Sequence, residues 1–294
     1  MIFLLLSIIA STITVSYFKV FEKLGVHTLT GIVFNYLACA ILGNFVCVSD
    51  AVFSTPFWTM EWFPYTVFLG FMFITIFFAI GKTVQQMGVS VSMVSAKLSV
   101  VVPILFAVIM YNEHVKYMQL IGIVLSLIAV YFISKKDQSE KTQGKNLWLL
   151  PLIVFMGSGV IDTTLKIIQT HFIPPHSEAH IITITFTMAF VFGIFVLIYD
   201  VIKNNLKITI KNIFWGFMLG IPNYFSMYFL LKTLAAFHDT STVVFPVNNI
   251  GILAASSLVS IFFFREKMNK LNWYGLLLSV ISIVLISEVY LAIF

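Results

Sequence analysis

Charge is what this chain has least of. Of its 294 residues only 10% are Asp, Glu, Lys or Arg, against roughly a quarter in a water-soluble domain. So few charged groups cannot cover a water-facing surface. Cysteine is almost missing too. Cys39 and Cys47 fall on one expected helix about 12 Å apart along its axis, too far for a disulfide, so no disulfide framework exists and the redox compartment stays open. No HExxH, GxSxG or paired-carboxylate motif occurs and no Cys lies near a His, which removes the usual marks of an intramembrane enzyme. No run of Lys and Arg with interleaved aromatics is present, so the net charge of +5 is no sign of a nucleic-acid partner. The basic n-region and small-residue cleavage site of a signal peptide are also missing near Met1. The first apolar block is therefore expected to be a retained helix.

What is present is apolar. Hydrophobic residues make up 60% of the chain and the mean hydropathy is +1.02, arranged in long blocks with short polar breaks. A helix crossing the bilayer needs about 20 such residues. The expectation is an all-α membrane protein of about ten transmembrane helices with no soluble domain. The blocks are 2–18, 29–48, 62–83, 90–110 and 117–134, then 147–168, 179–201, 213–234, 240–264 and 271–289. Trp62, Trp148, Trp215 and Trp273 stand at the starts of four of them, where an amphipathic indole prefers the headgroup region.

The longest polar stretch, 135–146, falls near the middle and divides the chain into 1–134 and 147–294. The two parts echo each other. Lys82-Thr83 matches Lys232-Thr233 at an offset of 150, while Glu113, Gly122, Ser126 and Ser134 match Glu266, Gly275, Ser279 and Ser287 at 153. Ser11 and Lys19 match Ser158 and Lys166 at 147. These pairs predict two five-helix repeats. Five is odd, so the second repeat enters the membrane inverted, which places a site near the midplane and permits alternating access. Loops after the odd-numbered helices hold 13 of the 17 Lys and Arg residues, against Lys116 and Lys232 on the other face. The positive-inside rule puts the basic face in the cytoplasm and both termini outside it.

Two five-helix repeats, each with a Glu just after its fourth helix and a Gly early in its fifth, resemble the drug/metabolite transporter superfamily, in particular its EamA-type ten-helix members. The family's Gly-Glu-Arg-like turn is matched by Tyr111-Asn112-Glu113-His114 and Phe264-Arg265-Glu266-Lys267. Its first-helix Trp-Gly pair is replaced around Ser11-Thr12, and its termini are usually taken as cytoplasmic, opposite to the charge count. The resemblance implies a central cavity lined by helices 1–4 and 6–9, with helices 5 and 10 peripheral. It also implies export or exchange of metabolites such as amino acids, nucleotides, sugars or phosphate esters.

Polar groups inside lipid are costly, so each is a candidate for function. Lys97 lies about 10 Å into the fourth block and Asp162 about 21 Å into the sixth. Lys97 either snorkels to the interface or meets an anionic group in a cavity. Asp162 either pairs with Lys166 one turn later or handles a proton or substrate. Asn35, Asn223, Asn248 and Asn249 are the neutral amides, with Pro222 and Pro246 close by to free carbonyls and bend their helices. Interhelical hydrogen bonding is the alternative reading for each amide. Pro103 adds a kink to the fourth block. His171, His176, Glu178 and His180 lie around a short loop and lack the fixed three- or four-ligand geometry of a zinc site.

The expected function is therefore secondary transport of a small metabolite by alternating access, proton-coupled or by exchange and in the export direction. The candidate site is Lys97, Asp162, Asn35, Asn223, Asn248, Asn249 and Lys166, with no metal and no cofactor. The expected partners are the substrate and membrane lipid, in a monomer or weak homodimer of the cell (inner) membrane. A channel or lipid flippase is the alternative, and an intramembrane enzyme a more distant one.

Overall fold

Eleven α-helices follow one another in the computed structural model, which describes residues 2–46, 56–111, 116–135, 148–172, 178–236 and 241–286, and no strand occurs among these residues. They are α1 (Ile2–Leu24), α2 (Thr28–Val46), α3 (Phe63–Met87), α4 (Val89–Leu98), α5 (Val101–Tyr111) and α6 (Tyr117–Ser134). Then come α7 (Leu149–His171), α8 (Glu178–Asn204), α9 (Ile210–Ala236), α10 (Ser241–Leu258) and α11 (Lys270–Ile286). Cys47, Asn112, Glu113, His114, the stretch 136–147, His176 and Ser287 lie outside the described residues, and Lys166 is described in its backbone alone.

Among the described residues six segments are long and apolar enough to cross a membrane: α1, α2, α3, α4 running into α5, α6 and α8. The chain is an all-helical, membrane-spanning protein.

Three expected helices differ in detail. The fourth block, expected over 90–110 with a kink from Pro103, divides at Ser99 and Val100 into α4 and α5. Proline has no N–H, and its ring crowds the carbonyl four residues earlier. For Pro103 that carbonyl is Ser99 O, which accepts instead from Val102 N at 2.9 Å. The ninth block ends in a π turn, Val259–Phe263, in which Phe264 N donates to Val259 O at 3.1 Å. α1 also outruns its apolar block, because Phe21 is fully buried and Lys19 pairs with Glu22 at 2.8 Å.

α2 lies between α8 and α9, and α1 packs on α9 and α10. α3 packs on α7 and α8, while α4 packs on α7 and α10. The core is aromatic where α1, α2, α3 and α8 meet, around Phe18, Phe21 and Phe186. α6 and α11 form an antiparallel pair, with Gly122 seated on Ile286 and Gly275 on Ile133. Ser282 Oγ donates to Gly122 O at 2.8 Å across that pair.

One end of the bundle gathers the basic loops. His27 N donates to Asn212 Oδ1 at 3.2 Å, and Lys211 Nζ donates to Leu24 O. Val89 N donates to the Glu266 carboxylate, and Asn272 Nδ2 to Ile133 O at 2.8 Å. These bonds join the α1–α2, α3–α4, α8–α9 and α10–α11 connections and the end of α6 on one face.

Candidate functional site: a broken helix and two polar clusters

The division of α4 from α5 places two polar groups beside a third. Lys97 occupies the last turn of α4 and Ser99 follows in the break. α7 comes close there because Gly159 has no side chain: a Cβ on it would sit 2.4 Å from Val102 Cβ and 3.0 Å from Ser99 O. One turn further along α7, Asp162 receives a hydrogen bond from Ser99 Oγ at 3.0 Å. Asp162 also interacts electrostatically with Lys97, without a direct salt bridge. Lys97 thus brings a cation from another helix towards Asp162.

Asp162 is exposed although it sits mid-helix, while Gly159, Thr163 and Thr164 around it are buried. Phe155, two turns earlier on the same face, is buried as well. Lys97 is half-buried. A carboxylate and an ammonium beside an interrupted helix can meet ionic or hydrogen-bonding groups of a small molecule. Irregular backbone at membrane depth is tolerated where it is buried in protein or lines a water-filled cavity.

The second cluster is neutral and closed. Asn35 on α2 is fully buried, and its Oδ1 accepts from Asn223 Nδ2 on α9 at 3.0 Å. Cys39, one turn after Asn35, brings its thiol within 3.4 Å of Gly220 O and 3.8 Å of Asn35 Oδ1. The two helices meet this closely because Gly216 and Gly220 repeat at a spacing of four. A Cβ at either would lie 2.7 Å from a carbonyl of α2, Gly31 O or Asn35 O. Asn35 Nδ2 is left without a partner. Pro222 sits inside α9, which continues unbroken to Ala236.

Asn248 and Asn249 lie on α10, apart from this clasp. Asn248 is buried with its Oδ1 unpartnered, and Asn249 is half-buried. The structure thus brings Lys97 to Asp162 and Asn35 to Asn223. Ser99 and Cys39 complete these clusters although neither stood out in the sequence. The signals were there: Ser99 is the residue four before Pro103, and Cys39 is four after Asn35.

A cavity of about 630 Å³ opens on the basic end between the α1–α2 turn, α3 and α8. Its floor is Phe21, Val26 and Leu29, all buried, and neither Lys97 nor Asp162 lines it. His27 hangs at its rim, 3.8 Å from Asp200. Burial pushes the His27 imidazole below its ordinary pKa, Asp200 raises it in part, and Lys82 adds a smaller push downward.

Among the described residues no group of three His, Cys, Asp or Glu side chains is placed to hold a metal. No family model matches the chain. An uncharacterized protein of Haemophilus influenzae is 25% identical to it over 284 residues, 95% of each chain. A protein whose crystal structure is solved shares its fold, with a TM-score of 0.61 over 99% of this chain and 97% of that one at 10% identity.

Proposed function

We propose that this protein is a secondary carrier that moves a small metabolite across the membrane by alternating access, with Lys97, Ser99 and Asp162 at its cargo site. One observation carries the reading. Within an apolar bundle, a broken helix presents a Lys and a Ser to an Asp on a neighbouring helix. Intramembrane ionisable groups are retained where they serve a pathway. A helix interrupted next to such groups is a common way for transporters to bind cargo near the midplane.

The carrier reading includes ten crossings arranged as two inverted repeats, α1–α6 and α7–α11, with α4 and α5 counted as one crossing. The packing supports the duplication. Exchanging the two halves turns the α1–α9 contact into α7–α3, α2–α9 into α8–α3, and α1–α10 into α7–α4. The α6–α11 pair maps onto itself, since Gly122 on Ile286 becomes Gly275 on Ile133 at the same offset of 153. Lys82 over Phe78 and Lys232 over Tyr228 are likewise counterparts. The gathering of basic loops at one end supports a cytoplasmic location for that end and insertion in the cell membrane.

The test is flux in proteoliposomes against amino acids, nucleotides, sugars and phosphate esters. A carrier saturates and shows counterflow with at least one class. Flux that rises linearly with concentration and shows no counterflow would replace the carrier with a channel.

A further inference from the structure

At the basic end one side chain joins the front and back halves of the chain. Glu266 follows the π turn that ends α10, and its carboxylate accepts from Val89 N, the first residue of α4, with the nearer oxygen at 3.1 Å. It also accepts from Ser260 Oγ and lies 3.9 Å from Lys19 Nζ on α1. Lys19 and Glu266 are 19% and 16% exposed, so the pair is largely removed from water. A second contact follows the same seam: Lys23 on α1 stacks over the ring of Phe264, 5.0 Å from its centre.

The backbone at Gly88 is shaped for this carboxylate. Gly88 has φ +105°, which favours glycine, and a Cβ there would lie 2.6 Å from Glu266 Oε2. The α3–α4 connection thus wraps the Glu266 side chain. A carboxylate at the first turn of a helix is also favoured by the exposed N–H groups and the helix dipole.

Every one of these partners except Ser260 lies in the front half of the chain, while Glu266 and Phe264 lie in the back half. The contact therefore crosses the boundary along which two repeats would rock. Just inside it stands Ser90, on the Lys97 face of α4, seven residues before Lys97. Ser90 is 3% exposed and its hydroxyl has no hydrogen-bond partner. A buried hydroxyl of this kind gains a partner when water enters.

We propose that Glu266 is the gating residue of the basic end. Bound to Val89 N, Ser260 and Lys19 it closes the path between Lys97 and that face, and the path opens when α10 parts from α1 and α4. The proposal deepens the carrier reading and rests on it. Its test needs no cargo, so the two fail separately. Ser90→Cys is made with Cys39 and Cys47 replaced by Ala, and the protein is reconstituted in liposomes with the basic end outward. A membrane-impermeant maleimide is then added outside.

With Glu266 intact, labelling of position 90 is slow. Glu266→Ala removes the charge-assisted bonds and raises the labelling rate at least about tenfold. Gly88→Ala displaces the carboxylate by crowding and gives the same rise, which provides the reading if Glu266→Ala does not fold. A labelling rate unchanged by whichever of the two variants folds overturns the proposal. Loss of counterflow in the parent protein, with the labelling response intact, would instead sink the carrier and leave the gate standing.

Discussion

The two polar clusters use similar materials to opposite ends. Each brings a polar side chain on a helix of the front half to one on a helix of the back half, and each lies near a proline. At Asn35, Cys39 and Asn223 the donors and acceptors largely satisfy one another, the groups are buried, and α9 runs on past Pro222. At Lys97, Ser99 and Asp162 the charges do not close into a salt bridge, Asp162 is exposed, and Pro103 divides the helix. The first arrangement holds two helices together. The second leaves two charges without a direct ionic partner among the described residues. A membrane amide pair is worth about 0.6 kcal/mol on average and up to about 1.7, whereas an ionisable side chain at the centre of a membrane span costs about 2.5–3.5 kcal/mol on insertion scales. The cluster that carries charge is therefore the one whose retention needs a function.

The largest expected effect separates the clusters by flux. Lys97→Leu and Asp162→Asn should each cut transport in proteoliposomes by about 100-fold or more, with a monodisperse gel-filtration profile retained. The double variant Lys97→Leu with Asp162→Leu should restore any lost thermal stability while flux stays absent. Undiminished transport in the single variants would remove these residues from the cargo site.

Pro103→Ala comes next. An alanine N–H at position 103 can bond Ser99 O and heal the break between α4 and α5. Flux should fall about tenfold, while the melting temperature rises or holds. If transport is unchanged, the break is a packing feature alone.

Asn223→Ala tests the other cluster. It removes the donor to Asn35 Oδ1 and should lower unfolding stability by about 1 kcal/mol, with flux within about threefold of the parent. A protein of full stability and no transport would reverse the roles assigned to the two clusters.

Much of the fold was legible in composition, because apolar blocks of bilayer length with polar breaks admit few structures. Lys97, Asp162, Asn35 and Asn223 were legible as isolated polar residues in apolar blocks. Their pairing was not, since it depends on which helices touch. The Gly216–Gly220 spacing contained the close approach of α9 to α2. Pro103 was readable as a kink, but the break fell one turn earlier, because proline acts on the carbonyl four residues back. Lys166 is readable in the sequence as a cation one turn from Asp162, whereas the approach of Lys97 from α4 depends on which helices touch. Glu266 was visible as a repeat marker only. Its contacts with Val89, Ser260 and Lys19 depend on the positive φ of Gly88 and on a π turn, neither of which periodicity reveals.

The smallest expected effect belongs to His27, outside both clusters. Its imidazole is held below its ordinary value near 6.5, so the unfolded chain takes up a proton first as pH falls. Its contribution to stability is present above about pH 6.5 and is lost as pH falls through the lowered folded value. His27→Gln should flatten the pH dependence of the melting temperature in that acid range, by about 1 °C or less. Transport should not respond, because the His27 groove does not reach Lys97 or Asp162.

The most direct measurement of the central claim is counterflow in proteoliposomes loaded in turn with each metabolite class, for the parent protein and for Asp162→Asn side by side. A carrier with its cargo site at Lys97 and Asp162 shows saturable counterflow for at least one class in the parent and none in the variant. Equal counterflow in both, or none with any class in a folded parent protein, would contradict it.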